Sequence, residues 1–217
     1  MFIVEKEPKS ISAESYRTLR TNIQYSSFDK EYKVIVVTSS DPGEGKSTTA
    51  GNLALSMAQD NKKVILIDCD LRKPSIHKKF KISNLVGLSD VIVGKADLIK
   101  AVHKYNNNLV VLTSGKIPPN PSEMLSSKAM ENLLETLKQS FDYIILDTPP
   151  VQAVTDSQIL STKADGTILV VRAERTKKDS VQNAVNLLKK VNANIIGTVL
   201  NGVDSSRNKY YYYYGDK

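Results

Sequence analysis

The sequence predicts an α/β fold: a mostly parallel central sheet with helices on both faces. Short β-branched runs alternate along the chain with stretches of helical length and helical apolar spacing. One run, Val-Ile-Val-Val at residues 34–37, breaks into a Gly/Pro loop that opens a helix through Asn52, Leu55 and Ala58. Aspartates close two of the other runs, and in a parallel sheet such strand ends gather at one carboxyl edge, where ligands bind.

The loop is the fixed point. Residues 40–48 read Ser-Asp-Pro-Gly-Glu-Gly-Lys-Ser-Thr after the apolar strand, the arrangement of P-loop nucleotide-binding proteins and hence of a P-loop NTPase fold. Gly43, Glu44, Gly45, Lys46, Ser47 and Thr48 are the expected ATP-binding residues. Small residues let backbone N–H groups turn toward phosphate, and the new helix adds the positive end of its dipole. Lys46 is placed to reach the β- and γ-phosphates and the Ser47 hydroxyl to ligate Mg²⁺. The pattern's first glycine is Ser40 here.

At 217 residues the chain suits one α/β domain. No stretch approaches a membrane span, and residues 1–6 lack the apolar core of a signal peptide, so a cytoplasmic location is expected. Cys69 is the single cysteine, which excludes disulfides within the chain and cysteine-based zinc sites. His77 and His103 are too isolated to suggest a metal cluster. The net charge of +7 favours anionic partners: nucleic acid, an anionic membrane face or an acidic protein segment.

In chain order, Ser12 is a candidate cap for a helix to about Ser26, with Tyr16, Leu19 and Ile23 on one face. Glu14, Arg17 and Arg20 fall along one flank of that helix. They read either as local Glu–Arg pairing or as a charged strip that docks on a neighbouring subunit. Residues 63–67 read as the second core strand and deliver Asp68-Cys69-Asp70-Leu71-Arg72. Carboxylates at i and i+2 on an extended end share a side and repel unless a cation such as Mg²⁺ sits beside them.

Residues 74–94 are less regular, with a basic cluster of His77, Lys78, Lys79 and Lys81 and a short helix over residues 85–92. A third strand at 109–113 precedes a turn-rich stretch, after which Ser122 is the expected cap of a single amphipathic helix to about Gln139. Residues 141–147 form the next strand. Its Asp147, followed by a diproline, has the form of a Walker B aspartate that orients a water on Mg²⁺. Strands at 166–172 and 195–200 flank a helix over residues 178–190. Asn201 then reads as either a partner for the nucleotide's base edge or an ordinary turn residue.

The tail holds the anomaly: Tyr210, Tyr211, Tyr212, Tyr213 and Tyr214 stand in succession. Five adjacent phenols have no strand or helix period. They read as a sticky tail, a segment paired to a sheet edge, or the substrate itself.

Together these elements resemble the bacterial tyrosine kinases tied to capsule and exopolysaccharide export. The resemblance rests on the P-loop, the Asp-x-Asp-x-Arg element at Asp68, Asp70 and Arg72, Asp147, the tyrosine cluster, and the Glu14, Arg17, Arg20 strip. It covers essentially the whole chain and implies three parts: an N-terminal helical segment (residues 1–30) for oligomerisation, a kinase core (31–204) and a tyrosine-rich tail (205–217). It implies a protein-tyrosine autokinase with ATP and Mg²⁺ as cofactors, and Tyr210 to Tyr214 as phosphoacceptors. Lys46, Asp68, Asp70 and Asp147 would be catalytic, and Ser47, Asp68 and Asp147 would hold the metal. Either Asp68 or Asp70 would serve as base, Asp68 being preferred.

The resemblance further implies a ring-shaped homo-oligomer joined through Glu14, Arg17 and Arg20. The kinase would be recruited to the inner face of the plasma membrane by an activator, a polysaccharide co-polymerase whose cytoplasmic tail switches it on. A cognate tyrosine phosphatase and further protein substrates follow, and no nucleic acid is expected. The alternative is a nucleotide-switched ATPase of the ParA/MinD type binding DNA or membrane. That class shares the fold and the strand-end aspartates, but it usually carries an additional early loop lysine that is missing here.

Overall fold

The computed structural model describes residues 2–26 and 31–203. The strands are β1 (Val34–Ser39), β2 (Val64–Asp68), β3 (Val102–Lys104), β4 (Leu109–Leu112), β5 (Tyr143–Asp147), β6 (Gly166–Arg172) and β7 (Ile195–Asn201). They form one sheet in the order β3-β4-β2-β5-β1-β6-β7. All neighbours run parallel except β3 and β4. The helices are α1 (Ile3–Lys6), α2 (Ile11–Tyr25), α3 (Lys46–Gln59), α4 (Ile76–Phe80), α5 (Leu88–Ile92), α6 (Leu98–Ala101), α7 (Pro121–Ser126), α8 (Lys128–Lys138), α9 (Asp156–Ser161) and α10 (Lys178–Lys190).

The central strands β1, β2 and β5 are apolar up to their carboxyl ends because both of their faces are covered. The two-residue period splits β1 cleanly: Ile35 and Val37 join the core under α2 and α3, whereas Val34 and Val36 join the core under α7, α8 and α9. A smaller cluster of Val151, Leu169, Ala184 and Leu188 seats α10. Among the described residues no helix is long and apolar enough to cross a membrane.

Three local expectations change. Ser10 rather than Ser12 caps α2, its side chain accepting from Ala13 N. The helix expected from Ser122 to Gln139 is two helices, broken at Ser127. That residue is extended (ψ 158°), and its side chain caps α8 by accepting from Met130 N. The break lets Leu125 and the Met130, Leu133, Leu134 and Leu137 stripe reach the same core along different axes. Proline at 121 already begins α7, which frees the Ser122 hydroxyl for a tertiary contact. The short antiparallel edge strand β3 and helices α1, α4, α6 and α9 are too brief to carry a periodic signal.

The N-terminal segment packs on the sheet domain itself. Phe2, Val4, Ala13 and Ile23 belong to the α3 core, and Val4 N donates to Asn52 Oδ1 at 3.2 Å. Phe2 lies over Gly51 of α3, with its ring centroid 4.6 Å from that of Phe80. A Cβ at residue 51 would stand 2.1 Å from the Phe2 ring. Gly51→Ala therefore sets a helix-propensity gain of about 1 kcal/mol against overpacking of about 1–3 kcal/mol. Urea denaturation is expected to show a net loss of stability, contrary to what the helix position alone would give.

Candidate active site

The register of the parallel strands builds the acidic side of the site. Asp68 and Asp147 are direct partners at the ends of β2 and β5. Leu66 and Ile145, two residues earlier, face the α3 core, so both carboxylates point to the face where α3 begins. Both are fully buried, and Asp70 is nearly so.

Each carboxylate has a different environment. Asp68 Oδ2 accepts from Ser75 N and Ile76 N, at 3.0 Å each, where α4 starts, and Oδ1 accepts from Asp70 N at 3.2 Å. Burial and then the Asp147 charge push its carboxyl up to about 7, against the pull of the two backbone N–H groups. Asp70 Oδ1 accepts from Lys73 N, and its Oδ2 takes the Lys46 ammonium at 3.0 Å. Asp147 is raised by burial and relieved chiefly by Lys46, 3.8 Å away. Neither Asp147 oxygen has a hydrogen-bond partner among the described residues. A buried carboxylate with both oxygens open suits a hydrated divalent cation, so the residues present fit Mg²⁺ with Ser47 close by.

The phosphate loop joins β1 to α3. Gly43 and Gly45 hold φ of 82° and 98°, in the left-handed region that favours glycine. A Cβ on Gly45 would also fall 1.9 Å from Asn201 Nδ2. Asn201 is the last residue of β7, and its Nδ2 donates to Glu44 O at 2.9 Å. It therefore braces the loop from the far side. The Glu44 carboxylate also turns into the loop, accepting from Ser40 N at 2.7 Å and Asp41 N at 3.1 Å, and from the Thr176 hydroxyl. The Glu44 side chain is thus committed to the loop's own backbone and to Thr176. Asp41 accepts from the Ser180 hydroxyl. Ser40 fits without a glycine because it is buried at the strand end with ordinary backbone.

Lys46 is the first residue of α3. Burial alone would lower its pKa, but Asp147 and Asp70 outweigh that and the net shift is upward. Thr48 Oγ1 accepts from Lys79 Nζ at 2.9 Å. Arg72 makes a two-point pair with Asp156 of α9, Nε to Oδ2 at 2.9 Å and Nη2 to Oδ1 at 3.1 Å, and reaches the Ser122 hydroxyl at 3.0 Å. The Asp-x-Asp-x-Arg turn is thus tied to α7 and α9.

The structure brings Lys46, Ser47, Asp68, Asp70 and Asp147 to one place. Glu14, Arg17 and Arg20 lie elsewhere, on α2. Arg17 pairs with Glu14 at 2.7 Å on the surface, while Arg20 donates to Ser56 O at 2.9 Å and lies 3.8 Å from Asp60. Tyr210 to Tyr214 lie outside the described residues. Sequence reading missed the tertiary partners Asp156, Thr176 and Ser180, which no local pattern marks. It noted the basic cluster of α4 without separating Lys79 from its neighbours.

Residues 32–200 match the family described as an AAA domain. Tyrosine-protein kinase YwqD of Bacillus subtilis is 47% identical over 216 residues, 99% of this chain and 91% of the relative. The chain belongs to the bacterial tyrosine-protein kinases. The kinase domain of Escherichia coli ETK superposes on this kinase with a TM-score of 0.91 at 34% identity, covering 100% of this chain and 85% of that one. The chimeric protein CapA2B2 gives 0.88 at 40% identity, covering 92% and 88%. At these identities the kinase reading, rather than the switch-ATPase alternative, is the activity of this fold here.

Asp68 makes stability pH-dependent in a defined direction. Its pKa is about 7 folded and near 3.8 unfolded, so between these values the folded state keeps a proton that the unfolded chain has lost. Stability is then highest at the acid end and declines as pH rises from about 4 to about 7. Thermal melts in EDTA should show this decline, and Asp68→Asn should lessen it, with Asp147, also raised by burial, contributing in the same direction.

Proposed function

We propose that this kinase transfers the γ-phosphoryl group of Mg-ATP to tyrosine, with Tyr210, Tyr211, Tyr212, Tyr213 and Tyr214 as its principal acceptors. The observation that carries this reading is the Lys46 ammonium at the start of α3, between Asp70 at 3.0 Å and Asp147 at 3.8 Å. Asp68, raised to about 7, stands beside it. Lys46 exchanges Asp70 for the β- and γ-phosphates. Ser47 and Asp147, with Asp68 adjoining, hold Mg²⁺, which neutralises charge on the phosphate oxygens when bound. The loop N–H groups and the α3 dipole hold the phosphates in line.

A tyrosine hydroxyl, with a pKa near 10, needs a proton acceptor as its oxygen bonds to the γ-phosphorus and the bond to ADP breaks. Asp68 takes that proton, while Asp70 assists once Lys46 has left it. Asn201 completes the ATP site by bracing the loop beside the base edge.

The remaining assignments extend the same proposal. The tail of one copy reaches the site of its neighbour in a homo-oligomeric ring, with the Glu14–Arg17 pair outward and Arg20 securing α2 from behind. Each phosphate added to the tail brings about −1.5 to −2 charges, which repel the acidic site and favour release and ring disassembly. A membrane-anchored activator brings the kinase to the inner face of the membrane, a phosphatase resets it, and the output is control of capsule or exopolysaccharide synthesis.

Phosphotyrosine mass spectrometry on the purified kinase with Mg-ATP and a candidate activator tail tests this. Phosphate is expected on the C-terminal cluster, absent in Lys46→Met and largely lost when all five tail tyrosines become phenylalanine. ATP hydrolysis with no phosphotyrosine, activator present, would overturn the reading.

A further inference from the structure

The basic cluster around α4 has no part in the roles above, yet α4 is seated directly on the site through its two N–H bonds to Asp68. That seating sorts the cluster. Lys78 and Lys81 are exposed, whereas Lys79 is half-buried and turns inward, its Nζ donating to Thr48 Oγ1 at 2.9 Å. Thr48 belongs to the first turn of α3, the helix that Lys46 begins. Two ammonium groups therefore meet one helix N-terminus, where the dipole is already positive.

Their partners differ. Lys46 has Asp70 and Asp147. Lys79 has a neutral hydroxyl and, among the described residues, no carboxylate in ion-pair contact, although its charge acts on Asp147. A half-desolvated cation resting on a hydroxyl at the positive end of a helix is a poor arrangement for the protein by itself. It is a favourable one for an anion arriving at that helix end, because the anion would satisfy the ammonium and the helix N–H groups together.

We propose that Lys79 is a second phosphate-binding lysine of this kinase, leaving Thr48 to contact the polyphosphate of the bound nucleotide. The ligand class is a nucleoside di- or triphosphate with its divalent cation, and the inference rests on the nucleotide reading of the loop. Lys79 would share with Lys46 the charge that phosphoryl transfer places on the phosphate chain.

Calorimetric titration of Mg-ADP and Mg-ATP into the full-length kinase and its variants tests this. Lys79→Gln is expected to weaken both affinities about tenfold or more and to lessen their dependence on salt. Lys79→Arg should retain most of the affinity, and Lys78→Gln and Lys81→Gln should stay within about twofold of the parent because their ammonium groups are solvated. Unchanged affinity in Lys79→Gln would overturn the proposal. So would equal weakening in Lys81→Gln, which would assign the effect to the general surface field. A lower melting temperature for nucleotide-free Lys79→Gln with unchanged affinity would make Lys79 a structural residue only. A folded parent protein that fails to bind Mg-ADP would instead overturn the nucleotide reading of the loop itself.

Discussion

Two aspartates at the same level of neighbouring parallel strands are the constraint on which this structure turns. The register that pairs Asp68 with Asp147 forces both carboxylates onto one face of the sheet, out of water, where like charges repel and burial disfavours ionisation. Everything nearby answers that problem. Lys46 arrives from the start of α3, α4 begins where its N–H groups meet Asp68, and Asp70 takes the other side of the ammonium. Asp147 keeps the loosest partners, the Ser47 hydroxyl and the Lys46 ammonium 3.8 Å away, and it is the residue that most plainly expects a cation. The acidity is not incidental to the fold, because the strands that make the core also aim these side chains.

The same geometry explains why the N-terminal segment belongs to the core. Helix α3 must bury nearly all of its circumference, being flanked by the sheet on one side and by α1 and α2 on the other. Its glycine at 51 is the space into which Phe2 fits. Arg20 of α2 reaches the far end of α3 at Ser56 and Asp60. The helix whose first turn carries Lys46 and Ser47 is therefore held along its length and at the other terminus by residues from the first part of the chain.

Much of this was legible in the sequence, for physical reasons that differ by element. The β-branched runs declared the strands because doubly covered strands need no polar alternation. The phosphate loop was legible because positive φ demands glycine. The aspartates of the site were legible because strand ends in parallel sheets converge. What stayed hidden depends on partners distant in the chain. Nothing local distinguishes Ser127 as a helix break or Ser122 as a tertiary ligand, since both are serines that suit a cap. Arg72 meets Asp156 across 84 residues of sequence, and Thr176 meets Glu44 across 132. Lys79 differs from Lys78 and Lys81 in its contact with Thr48, 31 residues away in the chain. Asn201 presented two ordinary readings, and the contact with the Glu44 carbonyl is a third.

The bracing of the phosphate loop has a thermodynamic consequence. Glu44 gathers two loop N–H groups and a hydroxyl from the segment after β6, Asp41 takes a hydroxyl from α10, and Asn201 holds the loop from β7. A glycine-containing loop would ordinarily lose much conformational entropy when a ligand orders it. Here that loss is incurred when the chain folds, so a nucleotide bound as proposed would meet a preorganised cradle. On that proposal, discrimination between ATP and ADP would arise from contacts to the terminal phosphate and its metal, not from a difference in how much of the loop each nucleotide has to order.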